Sequence, residues 1–130
     1  MKKITSIFTL TFFVLVLVSG LALTQSVDLS GTWVGETEVP DEIEPDELTL
    51  VLKKENGEYT GKMSDSMGML EETDCEDIEF KDNKLTFNIE VNTGMEYLRV
   101  YLTLTVEGDT MTGYWEAEDG SGGAVEMKKK

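Results

Sequence analysis

Residues that carry out covalent chemistry are scarce in this chain. It has no histidine, which removes the commonest general base, the commonest metal ligand and any Ser-His or Cys-His pair. Cys75 is the only cysteine, so no intrachain disulfide can form. Two of the 26 acidic residues could in principle run glycoside hydrolysis, but no spacing selects a pair. We therefore expect no enzymatic activity, no cofactor and no metal site.

Ten of the acidic residues gather in two clusters, Asp41–Glu47 and Glu71–Asp77. Clusters rich in oxygen can hold Ca²⁺, but neither has the central glycine of a regular calcium loop, and solvated loops are the main interpretation. Without the first 26 residues, the chain has 9 Lys and Arg against 26 acidic residues, a net charge of −17. Such a charge repels nucleic acid and anionic membranes. It favours solubility or a basic partner.

Aromatic and methionine side chains offer a different chemistry, the binding of an apolar ligand. Two tryptophans occur in similar steps, Gly31-Thr32-Trp33 and Gly113-Tyr114-Trp115, and both should face inward. Pockets for small ligands are mostly apolar with a few polar groups. The candidate ligand-binding residues are Trp33, Tyr59, Met63, Phe87 and Trp115. In the alternative interpretation, Trp33 plugs one end of the fold and Trp115 fills its core.

Two further groups of residues are candidates for binding. Met63, Met67 and Met69 surround an irregular stretch, where flexible thioethers could line a mouth or fill a core. Tyr97, Arg99 and Tyr101 alternate with apolar residues on one long strand, so they should share its outer face. Tyrosine and arginine are enriched in protein interfaces. This stripe is the candidate partner-binding surface, and cross-strand packing is the alternative.

The elements that position these residues are strands. Apolar residues alternate with polar ones in segments separated by turn pairs such as Asn56-Gly57, Asp82-Asn83 and Gly108-Asp109, and no segment has a helical period. Eight strands are expected, or nine if Met67–Leu70 also pairs. A meander of this length hides its edges best by closing. The prediction is an all-β, up-and-down antiparallel barrel of eight strands.

Residues 1–26 read as a secretory signal, leaving residues 27–130 as one barrel domain. Lys2-Lys3 precedes an apolar run that ends at Ser19-Gly20. Cleavage is expected after Ala22 or within Thr24–Ser26, and an uncleaved anchor is the alternative. No cysteine ends the leader, so no lipid anchor is expected. The domain should be exported, and free of the membrane once the signal is removed.

Gly31-Thr32-Trp33, opening the first strand of a secreted meander, resembles small bacterial barrels of the lipocalin and avidin-like (calycin) group. The resemblance implies that Trp33 lies across one end of the barrel under a basic side chain from near the last strand, here Lys128 or a neighbour. It also implies a shallow cavity at most, because eight strands leave room for little more than one small ligand.

Two functions of different classes follow. The first is a secreted barrel that binds a small apolar ligand in its interior. The second is a protein-interaction or inhibitor-type module with a filled barrel, acting through its acidic loops or through the Tyr97-Arg99-Tyr101 face. A hollow apolar interior would favour the first, and a filled barrel with an exposed apolar strip would favour the second.

Overall fold

The computed structural model describes residues 27–40 and 42–130. The predicted leader, its cleavage point and Asp41 lie outside the described residues. Every regular element in the described part is a β-strand, which confirms the predicted all-β class. That part of the chain contains no helix with the length and apolar character needed to cross a bilayer.

Nine strands follow one another along the chain with short connections. Their bounds are β1 Gly31–Thr37, β2 Asp46–Glu55, β3 Glu58–Asp65, β4 Thr73–Asp74, β5 Glu76–Lys81, β6 Lys84–Asn92, β7 Tyr97–Glu107, β8 Thr110–Ala117 and β9 Gly122–Lys129.

The sheet is an antiparallel meander that curls back on itself. Sequential strands pair with one another except at β4 and β5, and β1 pairs with β9 as well as β2. The barrel is therefore nearly closed, as predicted. Its seam lies between the edge formed by β3 with the short β4 and the edge strand β5. The chain crosses this seam at Cys75, whose N–H donates to the Gly61 carbonyl of β3 at 2.9 Å.

The strand count differs from the expected eight because one expected strand is divided. Thr73–Asp74 pair with β3, and Glu76–Lys81 pair with β6. The chain changes its partner strand at Cys75, which lies between these two short pairings. The β5–β6 register then shifts between Glu76 and Glu79, where Asp77 has φ of 54°, the geometry of a β-bulge. Met67–Leu70, the proposed extra strand, is not a strand.

Tight turns fix the register of the hairpins. Asn56 and Gly57 have φ of 53° and 81°, and Asp82 and Asn83 have φ of 53° and 63°. Positive φ at both central residues is the type I′ turn, whose twist matches that of paired strands. Both turns were predicted, and the strands they join are β2–β3 and β5–β6.

One end of the barrel is closed by Trp33. Its side chain is 1% exposed, and its Nε1 donates to the Leu29 carbonyl at 3.0 Å. The Lys129 ammonium lies 5.5 Å from the centre of the Trp33 ring, within the range of a cation–π contact, and donates to the Asp28 carbonyl at 3.3 Å. The structure thus places a basic residue where the resemblance implied one, at the neighbour of Lys128.

The middle of the barrel is packed by inward-facing residues of every long strand. In β6 these are Leu85, Phe87 and Ile89, and in β7 Val100, Leu102, Leu104 and Val106, all buried. Gly113 belongs to the inward set of β8 between Met111 and Trp115. A Cβ at Gly113 would overlap the Thr103 carbonyl oxygen of β7. The two strands approach this closely only because position 113 has no side chain.

Gly113→Ala should lower the free energy of unfolding by about 3 kcal/mol, because overpacking against backbone cannot relax by a side-chain rotation. Gly108→Ala is the matched control. Gly108 has φ of 58° in an open turn, so the same change should cost only about 1 kcal/mol of backbone strain. Urea denaturation measures both variants, and equal losses would contradict the close approach of β7 and β8.

Candidate functional site

The end of the barrel opposite Trp33 is an open cup of about 330 Å³. It lies where β1 ends and β2 begins. Apolar side chains from five strands and from the β3–β4 connection make most of its wall. They are Leu48, Met63, Met69, Leu70, Ile89, Val91, Leu98, Val100, Leu102 and Trp115.

Trp115 is the aromatic wall of this cup. Its indole is partly buried, and its Nε1 donates to Thr37 Oγ1 at 3.0 Å. The Thr37 hydroxyl in turn donates to the Ala124 carbonyl. A fixed indole N–H leaves the ring face available to a ligand, because the polar atom is already satisfied inside the wall.

Two carboxyl groups, from Asp46 and Asp65, lie side by side in the cup wall; we call them the carboxyl pair. Asp46 is 2% exposed. Burial, followed by the hydrogen bond and the negative charge of Asp65, raises the pKa of Asp46 to about 6. Two carboxylates this close cannot both ionise freely. The pair therefore shares one proton at mildly acidic pH.

The carboxyl pair anchors the connection between β3 and β4. Asp46 Oδ1 accepts from the Ser66 N–H at 3.2 Å, from the Ser66 hydroxyl at 3.1 Å and from the Met67 N–H at 3.2 Å. Asp65 Oδ1 accepts from the Leu70 N–H at 2.9 Å. These bonds hold Met69 and Leu70 against the cup, so the connection forms one side of its mouth.

The five predicted ligand-binding residues do not come together. Met63 and Trp115 line the cup. Trp33 closes the other end, and Phe87 is buried in the packed middle. Tyr59 lies at the seam and contacts the segment that precedes β1. Its hydroxyl accepts a hydrogen bond from the Leu29 N–H at 3.0 Å.

The predicted stripe of Tyr97, Arg99 and Tyr101 faces outward on β7, as its alternation indicated. Tyr97 is 70% exposed and Tyr101 51% exposed. The Arg99 guanidinium is already engaged within the chain. It pairs with Glu76 and donates to Asn88 Oδ1 at 2.9 Å. The stripe therefore presents tyrosine rings more than free positive charge.

Asp46 was expected in a solvated acidic loop, and this was wrong. It opens β2 on the same face as Leu48 and Leu50, and Asp65 occupies the corresponding face of β3 after Met63. The period of two residues places both carboxyls inward, but the acidic run around Asp46 favoured a loop. The burial of both carboxyls is tolerated because they share a proton and accept hydrogen bonds from the β3–β4 connection. This connection lies about 20 residues from Asp46 in the sequence.

Cys75 is not a reactive thiol. It packs against the core, and burial, with a smaller effect of the Asp74 charge, raises the pKa of Cys75 to about 12. The thiol therefore stays protonated near neutral pH and is a poor nucleophile. In the described residues no three His, Cys, Asp or Glu side chains are grouped to hold a metal ion.

No family model and no curated protein matches this sequence. Among solved structures, the chain is similar to a de novo designed fluorescence-activating β-barrel. The TM-score is 0.54 and the identity 19%, over 78% of this chain and 94% of the designed one. At this identity the likeness shows the fold alone, and it confirms the β-barrel.

The pKa of Asp46 makes stability depend on pH. The pKa lies above its unfolded value near 4, so the folded state holds the proton more tightly. The contribution of Asp46 to the free energy of unfolding is then fully present below about pH 4 and is lost as the pH rises through about 6. Asp46→Asn keeps an acceptor for Ser66 and supplies a donor to Asp65. We expect it to remove this fall, a difference of about 1–3 kcal/mol between the two profiles.

Urea denaturation from pH 4 to pH 7 measures the effect, with the exposed Glu58→Gln as a control that should follow the unmodified protein. An Asp46→Asn profile parallel to that of the unmodified protein would contradict proton sharing in the carboxyl pair.

Proposed function

We propose that this protein is an exported, non-enzymatic, lipocalin-like barrel that binds a small apolar ligand. The observation that carries the proposal is the cup, an apolar hollow at one end of a barrel whose other end is sealed. A barrel built only for stability would fill both ends, since empty space in a core costs contacts.

The composition of the cup supports this function. Its twelve apolar lining residues, the ten named above together with Val39 and Pro40, surround a few polar groups, namely Thr37, the carboxyl pair, Thr93, Asp119 and Ser121. Such a mixture is typical of small-molecule sites, in which apolar surface supplies affinity and a few polar groups set orientation. The volume of about 330 Å³ lies at the low end of the roughly 300–1,000 Å³ found for such sites. The ligand is therefore small.

Export is part of the proposal and rests on the sequence of residues 1–26. The lipocalin-like assignment rests on Gly31-Thr32-Trp33 together with the contact between Trp33 and Lys129 at the sealed end. A ligand met outside the cytoplasm would enter at the opposite end, past Met69 and Leu70.

A second candidate function is a protein-interaction or inhibitor-type module. The observation that favours it is the exposure of Tyr97, Tyr101 and Tyr114, the last also 51% exposed. Tyr114 and Tyr101 lie on adjacent strands near one another, since Tyr101 pairs with Glu116 and Tyr114 with Thr103. Three tyrosines on one outer face could meet a partner, but they do not account for the hollow interior.

Val91→Trp tests the proposed function by filling the cup. Val91 lines it from β6, so a bulky indole there should weaken the binding of a neutral apolar probe, N-phenylnaphthylamine, at least about tenfold. Val34→Trp is the matched control, because Val34 is exposed on the outer face of β1. Probe fluorescence measures both.

Equal binding by both variants would place the probe outside the cup. Failure of the unmodified protein to bind any neutral apolar probe would remove the proposed function and favour the interaction module.

A further inference from the structure

The charged groups of the cup are all of one sign. Among the residues that the structure describes, Asp46, Asp65 and Asp119 line it, and no lysine or arginine does. The cup is otherwise apolar, so these carboxyls act across a medium that screens charge less than water does. A ligand with a positive charge would gain there, and one with a negative charge would lose.

One atom of the carboxyl pair needs a donor. Asp65 Oδ2 is the one buried side-chain nitrogen or oxygen atom without a hydrogen-bond partner among residues 27–40 and 42–130. A buried acceptor left in this state carries a desolvation cost. The proton shared with Asp46 satisfies it at mildly acidic pH, but near neutral pH that proton is lost.

The surroundings of the pair supply no replacement for the proton. Strand β1 presents the neutral Thr37 opposite Asp46, and the turn before β9 presents Asp119 to the cup. The nearby charged residues of β2 and of the β3–β4 connection, Glu47, Glu71 and Glu72, are exposed and acidic. Near neutral pH, Asp46 therefore gains a negative charge in the cup wall, and no cation of the described chain lies beside the pair to balance it.

We propose that the cup binds small amphiphilic amines, with the ammonium group against the carboxyl pair and the apolar part on Met63, Leu102 and Trp115. This inference rests on the proposed function and names its ligand class. The ammonium has the N–H donors that Asp65 Oδ2 lacks and the charge that relieves the repulsion within the pair. Where the pair still holds its proton, binding releases that proton to solvent, and the ligand keeps its own charge.

Three probes of one shape separate charge from apolar contact: naphthylethylamine as the cation, naphthylethanol as the neutral compound and naphthylacetate as the anion. Calorimetric titration of the purified protein at pH 7 should show the amine binding at least about tenfold more tightly than the alcohol, the gain of a charged hydrogen bond. The acetate should bind more weakly than the alcohol.

Asp65→Asn should bring the affinity for the amine to within about threefold of that for the alcohol, both measured in the same variant. Asp109→Asn removes the same charge from an exposed turn near the sealed end. It should keep the full preference for the amine, so it controls for attraction by the net charge of the protein.

The outcomes separate the two claims. If the amine and the alcohol bind equally, the amine class is wrong and the apolar cup stands. If neither binds, the proposed function falls and the amine class with it. A preference that persists in Asp65→Asn would assign it to overall charge and overturn the inference.

A second measurement does not depend on the folding of a variant. In the unmodified protein, the ratio of amine to alcohol affinity should rise severalfold from pH 5 to pH 7, as the carboxyl pair loses its shared proton. A ratio that stays constant over this range would also overturn the inference.

Discussion

Pairing between β1 and β9 joins the two ends of the described chain, from Trp33 opposite Lys129 to Thr37 opposite Val125. Both ends of the barrel depend on this single ladder. At its start, it brings Lys129 over the Trp33 ring and seals the barrel. At its finish, it sets Thr37 beside β9 and within reach of the Trp115 indole, which fixes one wall of the cup. Without the ladder, the sheet would divide into β1–β4 and β5–β9, and β1 and β9 would each become an unpaired edge.

The cup has a cost that the rest of the barrel offsets. An unfilled end forfeits packing, and two buried carboxyls forfeit solvation. The packed middle around Leu85, Leu104 and Met127, all fully buried, supplies the stability that offsets this cost. The net free energy of unfolding of a small domain is modest, so this packing is needed. The carboxyl pair in turn organises the β3–β4 connection, so the same groups that weaken the barrel near neutral pH shape its mouth.

The fold could be predicted from the sequence because its signals are local. Alternation in Leu85–Val91 and the Asn56-Gly57 turn each depend on neighbours in the chain, and both were read correctly. The division of the strand at Cys75 was not predicted, because a change of partner strand from β3 to β6 does not alter the local alternation. The bulge at Asp77 was not predicted either, because an aspartate adopts positive φ readily.

The site was less predictable because it depends on register. Trp33 and Trp115 occur in the same Gly-x-Trp step, and both side chains turn inward. Only the position of each strand along the barrel decides that one seals an end and the other lines the cup. The carboxyl pair required still more, since donors from Ser66, Met67 and Leu70 reach it through contacts that no local pattern encodes.

The central claim is that one end of this barrel is an open binding cup and the other is sealed, and the two tryptophans report on it separately. We would record ¹H–¹⁵N spectra of the indole groups while titrating a neutral apolar probe, naphthylethanol, into the protein. The account predicts that the Trp115 resonance moves in a saturable way while the Trp33 resonance stays in place. A shift of Trp33 alone, or of neither resonance, would contradict it.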